Sequence, residues 1–253
     1  MRKTLAIVFL LISLALSAVS PAAAKQLTVL ISIDGFRPGY LSRGNSTILD
    51  AQAGSGVVAP GLPAVFPSVT FPNHYSIVTG LFPDHHGIVN NTMFDPPLLG
   101  RPFSLATRDA LANPARWSEG IPIWVTLHRT ADDPLPCFGR AARFPSMISS
   151  PDDWLPYNDA MMTLERVEKL LSWLDRPEDQ RADFATLYFS EVDSFGHRFG
   201  PSAAEVGGAV KRVDAALKHF LAALSAWNFA ARRLLSWSQI TARPRSTMLT
   251  ASN

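Results

Sequence analysis

The sequence has a single cysteine, Cys137, among its 253 residues, so an internal disulfide framework is excluded. It also lacks an excess of charge. Without Arg2 and Lys3, which belong to the leader described next, 21 basic residues stand against 21 acidic residues. A chain without net charge does not hold nucleic acid by bulk electrostatic attraction. After the leader there is no further long apolar run, so no later transmembrane helix is expected.

Residues 1–24 have the pattern of a secretory signal peptide. Arg2 and Lys3 precede a nearly unbroken apolar run over residues 5–19, and three consecutive alanines then form a small-residue cleavage site. The run is short for a membrane span, and an uncleaved anchor is the alternative. We therefore expect an exported protein, located in the periplasm or secreted.

Three short apolar runs, residues 27–33, 120–126 and 184–190, predict buried strands. Apolar residues at helical spacing predict amphipathic helices over residues 164–174 and 206–224, on either side of the third run. Buried strands alternating with such helices are typical of an α/β fold with a mostly parallel central sheet flanked by helices.

Residues 67–80 predict a turn that leads into a helix. Thr70 stands before Phe71 and Pro72, proline suits the first turn of a helix, and Gly80 can end it. A hydroxyl at a helix N-terminus lies in a positive local field beside free backbone N–H groups, where it can attack an anionic phosphorus centre. The ordinary alternative is that Thr70 is only the N-cap.

Polar side chains follow the ends of two predicted strands. Asp34 comes directly after the first run, where open α/β sheets keep their ligand sites, or it belongs to a turn. Asp193 and His197 follow the third run, with Gly196 allowing a tight turn between them. A carboxylate and an imidazole can share a zinc ion, although a surface turn also explains this spacing. Asn91 either donates to an anionic oxygen or makes a turn.

Taken together, these segments resemble the type I phosphodiesterase/nucleotide pyrophosphatase family of the alkaline phosphatase superfamily. Three blocks carry the resemblance, in the family's order: residues 32–37 (Ser-Ile-Asp-Gly-Phe-Arg), residues 67–80 (Pro-Ser-Val-Thr-Phe-Pro-Asn-His-Tyr-Ser-Ile-Val-Thr-Gly) with 87–91 (Gly-Ile-Val-Asn-Asn), and residues 193–197 (Asp-Ser-Phe-Gly-His) with 199–201 (Phe-Gly-Pro). The resemblance implies an alkaline-phosphatase-like fold and zinc-dependent hydrolysis of phosphodiester or pyrophosphate bonds.

The resemblance also implies a nucleophile and two zinc ions. Thr70 would be the nucleophile and would become transiently phosphorylated or nucleotidylated. Asp34 and Thr70 would bind one zinc ion, and Asp193 and His197 would bind the other. Such ions would lower the pKa of the threonine hydroxyl, which is a poor nucleophile at neutral pH.

The implied substrate is a small phosphodiester such as a nucleotide. Asn91 would donate to a phosphate oxygen, and Phe71 and Tyr157 would be aromatic walls for a base or another leaving group. Close relatives in the superfamily act on lipid-headgroup phosphodiesters or phosphomonoesters, which are the alternative substrates.

The sequence also departs from the family. The family's metal site uses an Asp-His pair in a Ser-Asp-His-Gly motif and a further late histidine, and this sequence has neither. Residues 228–253 are rich in arginine, contain no acid and show no strand pattern, and residues 127–150 lack the family's pattern. We expect a partial catalytic domain over residues 25–227, incomplete at its C-terminus, and a basic tail over residues 228–253, caused by a truncated or frameshifted reading frame. Two compensating frameshifts are the hypothesis for residues 127–150. The alternative function is therefore an inactive truncated fragment with impaired zinc binding.

Overall fold

The computed structural model describes residues 27–94, 102–104, 117, 119–130, 153–155, 157–177, 180–227 and 231–236. The predicted signal peptide, residues 131–150 of the atypical internal segment and residues 237–253 of the tail lie outside these ranges. The predicted domain boundaries stay predictions.

Five strands occur in the described part of the chain: β1 (Leu27–Ile33), β2 (Thr92–Met93), β3 (Phe103–Ser104), β4 (Phe184–Phe189) and β5 (Ala231–Ser236). The helices there are α1 (Thr47–Ser55), α2 (Thr70–Thr79), α3 (Pro83–His86), α4 (Ile123–Thr130), α5 (Thr163–Leu174), α6 (Glu191–Phe199) and α7 (Ala204–Ala226), with a 3₁₀ turn at Pro38–Tyr40. Within these ranges, no helix combines the length and apolarity needed to cross a membrane.

β1 is the centre of a three-stranded parallel sheet. It pairs with β4 on one side and with β5 on the other. Its side chains are buried on both faces because the run is apolar almost throughout, as expected for a parallel sheet covered by helices. A separate antiparallel pair joins β2 to β3. The prediction of an α/β fold with a parallel central sheet is confirmed.

The main core lies between this sheet and helices α1, α5, α6 and α7. The two predicted amphipathic helices are present, and each buries one stripe of side chains at helical spacing. Leu164, at the start of the first stripe, stays 47% exposed. Full burial of a residue such as Leu217 or Phe220 contributes about 1.5–3 kcal/mol to stability, so these stripes fix the helices on the sheet.

Two expectations about strands are wrong. Residues 120–126 do not form a strand, because the chain enters α4 at Ile123. Pro122 stands just before the helix, and its carbonyl accepts the N–H of Val125 at 2.9 Å. A proline favours the first turn of a helix, and a short apolar run does not by itself separate a strand from a helix. The tail was expected to lack a strand, yet β5 pairs along six residues of β1. Pairing with the open edge of a buried strand outweighs the weak strand pattern of this segment.

Candidate active site

The two predicted metal-binding aspartates meet at the C-terminal edge of the sheet. Asp34 follows β1 directly, and its N–H donates to the carbonyl of Phe189 at the end of β4 at 2.9 Å. Asp193 lies in the first turn of α6, which begins two residues after β4. This edge is where open α/β sheets form ligand sites.

Gly35 lets the two segments approach each other. Its φ of +70° lies in the left-handed region. A Cβ at this position would lie 2.6 Å from Cα and 2.8 Å from the backbone nitrogen of Asp193. Only a residue without a side chain fits there, so glycine brings the Asp193 backbone against the turn that carries Asp34.

Asp34 is 1% exposed, and its carboxylate has one hydroxyl partner and a second hydroxyl nearby. The Tyr188 hydroxyl donates to Oδ2 at 2.7 Å, and the Thr70 side chain lies near this carboxylate. Oδ1 is buried and accepts no hydrogen bond from any described residue. Burial raises the pKa of Asp34, and the charge of His74 and the two hydroxyl groups oppose the rise.

The carboxylate of Asp193 also has an oxygen without a hydrogen-bond donor among the described residues. Its Oδ1 is buried without a hydrogen bond from the described residues and lies 3.4 Å from Nε2 of His197. Burial, and secondly the negative charge of Asp34, raise the pKa of Asp193 to about 6. Two neighbouring carboxylates with buried oxygens that accept no hydrogen bond from the described residues are costly without further positive charge, and this arrangement fits a bound cation.

His197 reaches this place from a helix rather than from a tight turn, so the prediction of a turn at Gly196 is wrong. Asp193 and His197 lie four residues apart on α6, and this spacing puts them on one face. Val192 and Gly196 are buried against the core, which holds the segment in helical form. The imidazole is mostly exposed, with 64% of its side-chain surface accessible.

Thr70 is the first residue of α2, and the N-cap is Val69. No side chain of a described residue caps this helix, so the interpretation of Thr70 as only a cap is wrong. The predicted end of the helix is confirmed, since Gly80 has a φ of +72° and its N–H donates to Ser76 at 2.8 Å.

The first turn of α2 offers fewer free N–H groups than expected. The N–H of Phe71 donates to Oδ1 of Asn91 at 2.8 Å, and that of Asn73 donates to Val69 at 3.3 Å. Pro72 has no N–H. Among these positions, Thr70 alone keeps an N–H without a described partner. Because Oδ1 of Asn91 is engaged, its Nδ2 group carries the two hydrogens that remain for an anionic oxygen.

Phe71 and Tyr157, the two predicted aromatic walls, share no ring contact among the described residues. The ring of Phe71 packs against Phe103 and Trp117, with centroids 5.4 and 5.6 Å away, in a small second core. Tyr157 is 52% exposed, and its ring lies 6.1 Å from that of Tyr188.

The sequence analysis missed two residues that contact this site. Tyr188 is the residue before the last one of β4 and lies opposite Ser32 in register. Burial raises the pKa of Tyr188, so its hydroxyl stays protonated and donates a hydrogen bond to Asp34. His74 lies one helical turn after Thr70 and bonds the Thr70 carbonyl. The signal for His74 was its i+4 spacing. Tyr188 gave none, because a tyrosine in a buried strand is ordinary.

The donors that the structure brings together are two carboxylates, one hydroxyl and one exposed imidazole. No group of three or more histidine, cysteine, aspartate or glutamate side chains with metal-site geometry occurs in the part of the chain that is described. The unpaired oxygens of Asp34 and Asp193 nevertheless fit a divalent cation, since carboxylate oxygen is a common ligand of such ions.

Comparison with known proteins agrees with the sequence blocks. The chain is 40% identical to human ectonucleotide pyrophosphatase/phosphodiesterase family member 1 over 189 residues, which is 74% of this chain and 20% of that protein. It is 35% identical to an uncharacterized pyrophosphatase/phosphodiesterase of Schizosaccharomyces pombe over 209 residues, 81% of this chain and 42% of that one. A venom phosphodiesterase of Macrovipera lebetinus is 38% identical over 191 residues, 75% of this chain and 22% of that protein. The chain thus spans less than half the length of these relatives.

A solved structure has the same fold. Murine ectonucleotide pyrophosphatase/phosphodiesterase 5, an inactive threonine-to-alanine variant in complex with AMP, matches with a TM-score of 0.70 and 30% identity. The match covers 84% of this chain and 56% of that one. The sequence profile of the type I phosphodiesterase/nucleotide pyrophosphatase family matches residues 28–234. Phosphodiesterase and nucleotide pyrophosphatase are both hydrolytic activities. This chain belongs to the type I phosphodiesterase/nucleotide pyrophosphatase family.

Proposed function

We propose that this chain forms a cation-dependent hydrolytic site for phosphodiester or pyrophosphate bonds of nucleotides, with Thr70 as the nucleophile. The observation that carries the proposal is the pair of buried oxygens on Asp34 and Asp193 that accept no hydrogen bond from the described residues, with the Thr70 side chain near Asp34. A phosphate ester is anionic, so its attack by a hydroxyl beside two carboxylates requires positive charge at that place.

Zinc is the proposed ion. Asp34 and Thr70 would hold one ion, and Asp193 and His197 would hold a second. Bound there, zinc supplies positive charge that lowers the pKa of the Thr70 hydroxyl and offsets the charge of the phosphate. Tyr188 keeps Oδ2 of Asp34 occupied, so that Oδ1 is the oxygen left for the ion.

Thr70 carries the covalent step. Its oxygen forms a bond to phosphorus, it loses its proton to solvent, and the bond from phosphorus to the leaving oxygen breaks. The leaving oxygen gains a proton from solvent. Water then breaks the bond between phosphorus and the Thr70 oxygen, which releases the phosphoryl or nucleotidyl group as a phosphate and restores the hydroxyl. Asn91, held by the Phe71 amide, offers its Nδ2 hydrogens to a phosphate oxygen throughout.

Nucleotides are the proposed substrates because a structural relative is in complex with AMP. The inactivity of that threonine-to-alanine variant also supports a threonine nucleophile. Phe71 and Tyr157 are the proposed aromatic contacts for a base. Lipid-headgroup phosphodiesters and phosphomonoesters are the competing substrates, and a side-by-side assay of a nucleotide diester, a choline phosphodiester and a simple monoester separates the three.

Export is part of the proposal. Residues 1–24 have the pattern of a signal peptide, and one relative is named as a venom phosphodiesterase. N-terminal sequencing of protein secreted by an expression host should start at Lys25, and a mature chain that starts at Met1 would contradict cleavage.

A second candidate is a chain that binds cations weakly and does not turn over. It is favoured by the count of donors, since each proposed ion has only two ligands among the described residues. Zinc content of the purified protein, measured together with turnover, separates the two candidates. Two tightly held zinc ions per chain with robust turnover would exclude the second one.

The nucleophile is tested with a p-nitrophenyl nucleotide ester and the variant Thr70→Ala. We expect Thr70→Ala to abolish turnover. Thr79→Ala is the matched control, because Thr79 lies at the other end of α2, where its hydroxyl donates to the Tyr75 carbonyl and accepts the N–H of Leu81. Turnover retained in Thr70→Ala, or lost equally in Thr79→Ala, would refute the assignment.

A further inference from the structure

His74 joins α2 to the central strand. Its Nδ1 lies 2.7 Å from the carbonyl oxygen of Thr70, and its Nε2 lies 2.7 Å from Oγ of Ser32 in β1. A carbonyl oxygen only accepts, so Nδ1 carries a proton. In the neutral ring, Nε2 then accepts the proton of the Ser32 hydroxyl.

Ser32 lies on the part of the sheet that carries the candidate site. It is two residues before Asp34, and side chains two apart in a strand face the same side. Ser32 is directly opposite Tyr188 in the β1–β4 register. The ring of Tyr188 packs edge-on against that of His74, with centroids 5.1 Å apart. The contacts of His74 therefore converge on the residues that hold Asp34.

The start of α2 depends on few other restraints. The helix has no side-chain cap, and residues 56–67 before it have no regular structure. The Asn73 amide bonds residues just before the helix, at Val65, Pro67 and Val69, and Asn91 bonds the Phe71 N–H. Among the hydrogen bonds that the described residues make near Thr70, the one between His74 and Ser32 ties α2 to β1.

We propose that His74 is a positioning residue that holds the Thr70 oxygen beside Asp34 by bridging the Thr70 carbonyl to Ser32 of β1. The inference deepens the proposed function and rests on it for its kinetic consequence. His74 is not the base for Thr70: one of its nitrogens faces the Thr70 carbonyl and the other faces Ser32, which leaves neither for the Thr70 hydroxyl.

The first test needs neither metal nor turnover. Two-bond ¹⁵N NMR of the imidazole should show Nδ1 of His74 protonated, and a ring protonated on Nε2 alone would overturn the bridge. Amide exchange at Phe71 should become faster in His74→Ala and in Ser32→Ala. It should stay unchanged in His86→Ala, the matched control. His86 is a buried histidine that also bonds α2, at Ser76, away from Thr70.

The second test is kinetic, at a temperature where all variants are folded. His74→Ala should lower kcat about 10–100-fold, the range typical of lost support around a site, with KM changed less than twofold. Ser32→Ala should do the same, and the double variant should lose no more than either single one, since both remove one bridge. His86→Ala should keep kcat.

The outcomes separate this inference from the proposed function. A wild-type chain that fails to turn over refutes the proposed function. The amide exchange rate at Phe71 is then the measurement that shows whether the His74 bridge exists. A His74→Ala variant whose Phe71 exchange is unchanged, or whose kcat falls no more than that of His86→Ala, overturns the bridge. His74→Asn keeps a donor near the Thr70 carbonyl but does not reach Ser32, so it should behave as His74→Ala does. Full rescue by it would also overturn the bridge.

Discussion

Replacement of Gly35 by alanine should separate backbone strain from loss of the site. An alanine held at a φ of +70° costs about 1–2 kcal/mol. In addition, its Cβ would lie 2.6 Å from Cα of Asp193, a distance that forces one of the two segments to move. The atom that it meets is backbone, so no side-chain rotation relieves the contact. A shift of about 1 Å in a site of this kind costs on the order of a hundredfold in activity.

Gly44 offers the matched control, because its φ of +76° is nearly the same and a Cβ there would meet nothing within 4 Å. Both variants should lower Tm, by about 2–4 °C for each kcal/mol in a chain of this size. Only Gly35→Ala should also separate the two carboxylates. The pKa of Asp193, about 6 in the wild-type protein, should therefore fall in Gly35→Ala and stay unchanged in Gly44→Ala.

Two assays measure these effects. ¹³C NMR titration of the metal-free proteins gives the pKa of Asp193, and calorimetry with zinc alone gives the affinity for the ion. If Gly35→Ala and Gly44→Ala show the same Asp193 pKa and the same zinc affinity, the close approach at Gly35 does not build the site.

Two further predictions concern stability. The pKa of Asp193 is raised in the folded chain from an ordinary 3.8 to about 6, so the metal-free fold loses stability as pH rises through this window, and Asp193→Asn should raise Tm at pH 7.5 but not at pH 3.5. An equal or lower Tm for Asp193→Asn at pH 7.5 would contradict the cost of burying the Asp193 charge and of its repulsion from Asp34. Asp214 is buried on α7 and accepts the N–H groups of Ile48 and Leu49 at the start of α1, so Asp214→Ala should cost about 1–3 kcal/mol in urea unfolding. A loss under about 0.5 kcal/mol would show that α1 does not depend on this cap.

Sequence reasoning worked best where a pattern was long or local. The apolar run of β1 and the repeating stripes of α5 and α7 predicted their elements, because burial enforces their period. The Thr70 turn also came out of local rules, since Pro72 and Gly80 fix where α2 begins and ends. The short run at residues 120–126 failed because its length does not distinguish a strand from a helix that starts after a proline.

The geometry of the site lay beyond sequence reasoning because it depends on contacts between distant segments. Asp34 could be placed at the end of β1, but the donation from Tyr188 comes from 154 residues away. In the sequence, Gly35 is an ordinary turn glycine, and only the structure shows that the backbone of Asp193 packs against it. In the same way, the tail has no strand pattern in the sequence, and β5 forms there because β1 has an open edge with which it pairs.

The strand order has a consequence for how the protein is made. β1 is synthesised first and is the middle strand of the sheet, yet both of its partners, β4 and β5, are synthesised more than 140 residues later. The nascent chain therefore carries an apolar strand with two open edges for most of its synthesis. Such long-range closure makes folding slow and exposes the unpaired strand to association with other chains. A holdase chaperone that shields residues 27–33 until β4 emerges would protect the chain during that interval.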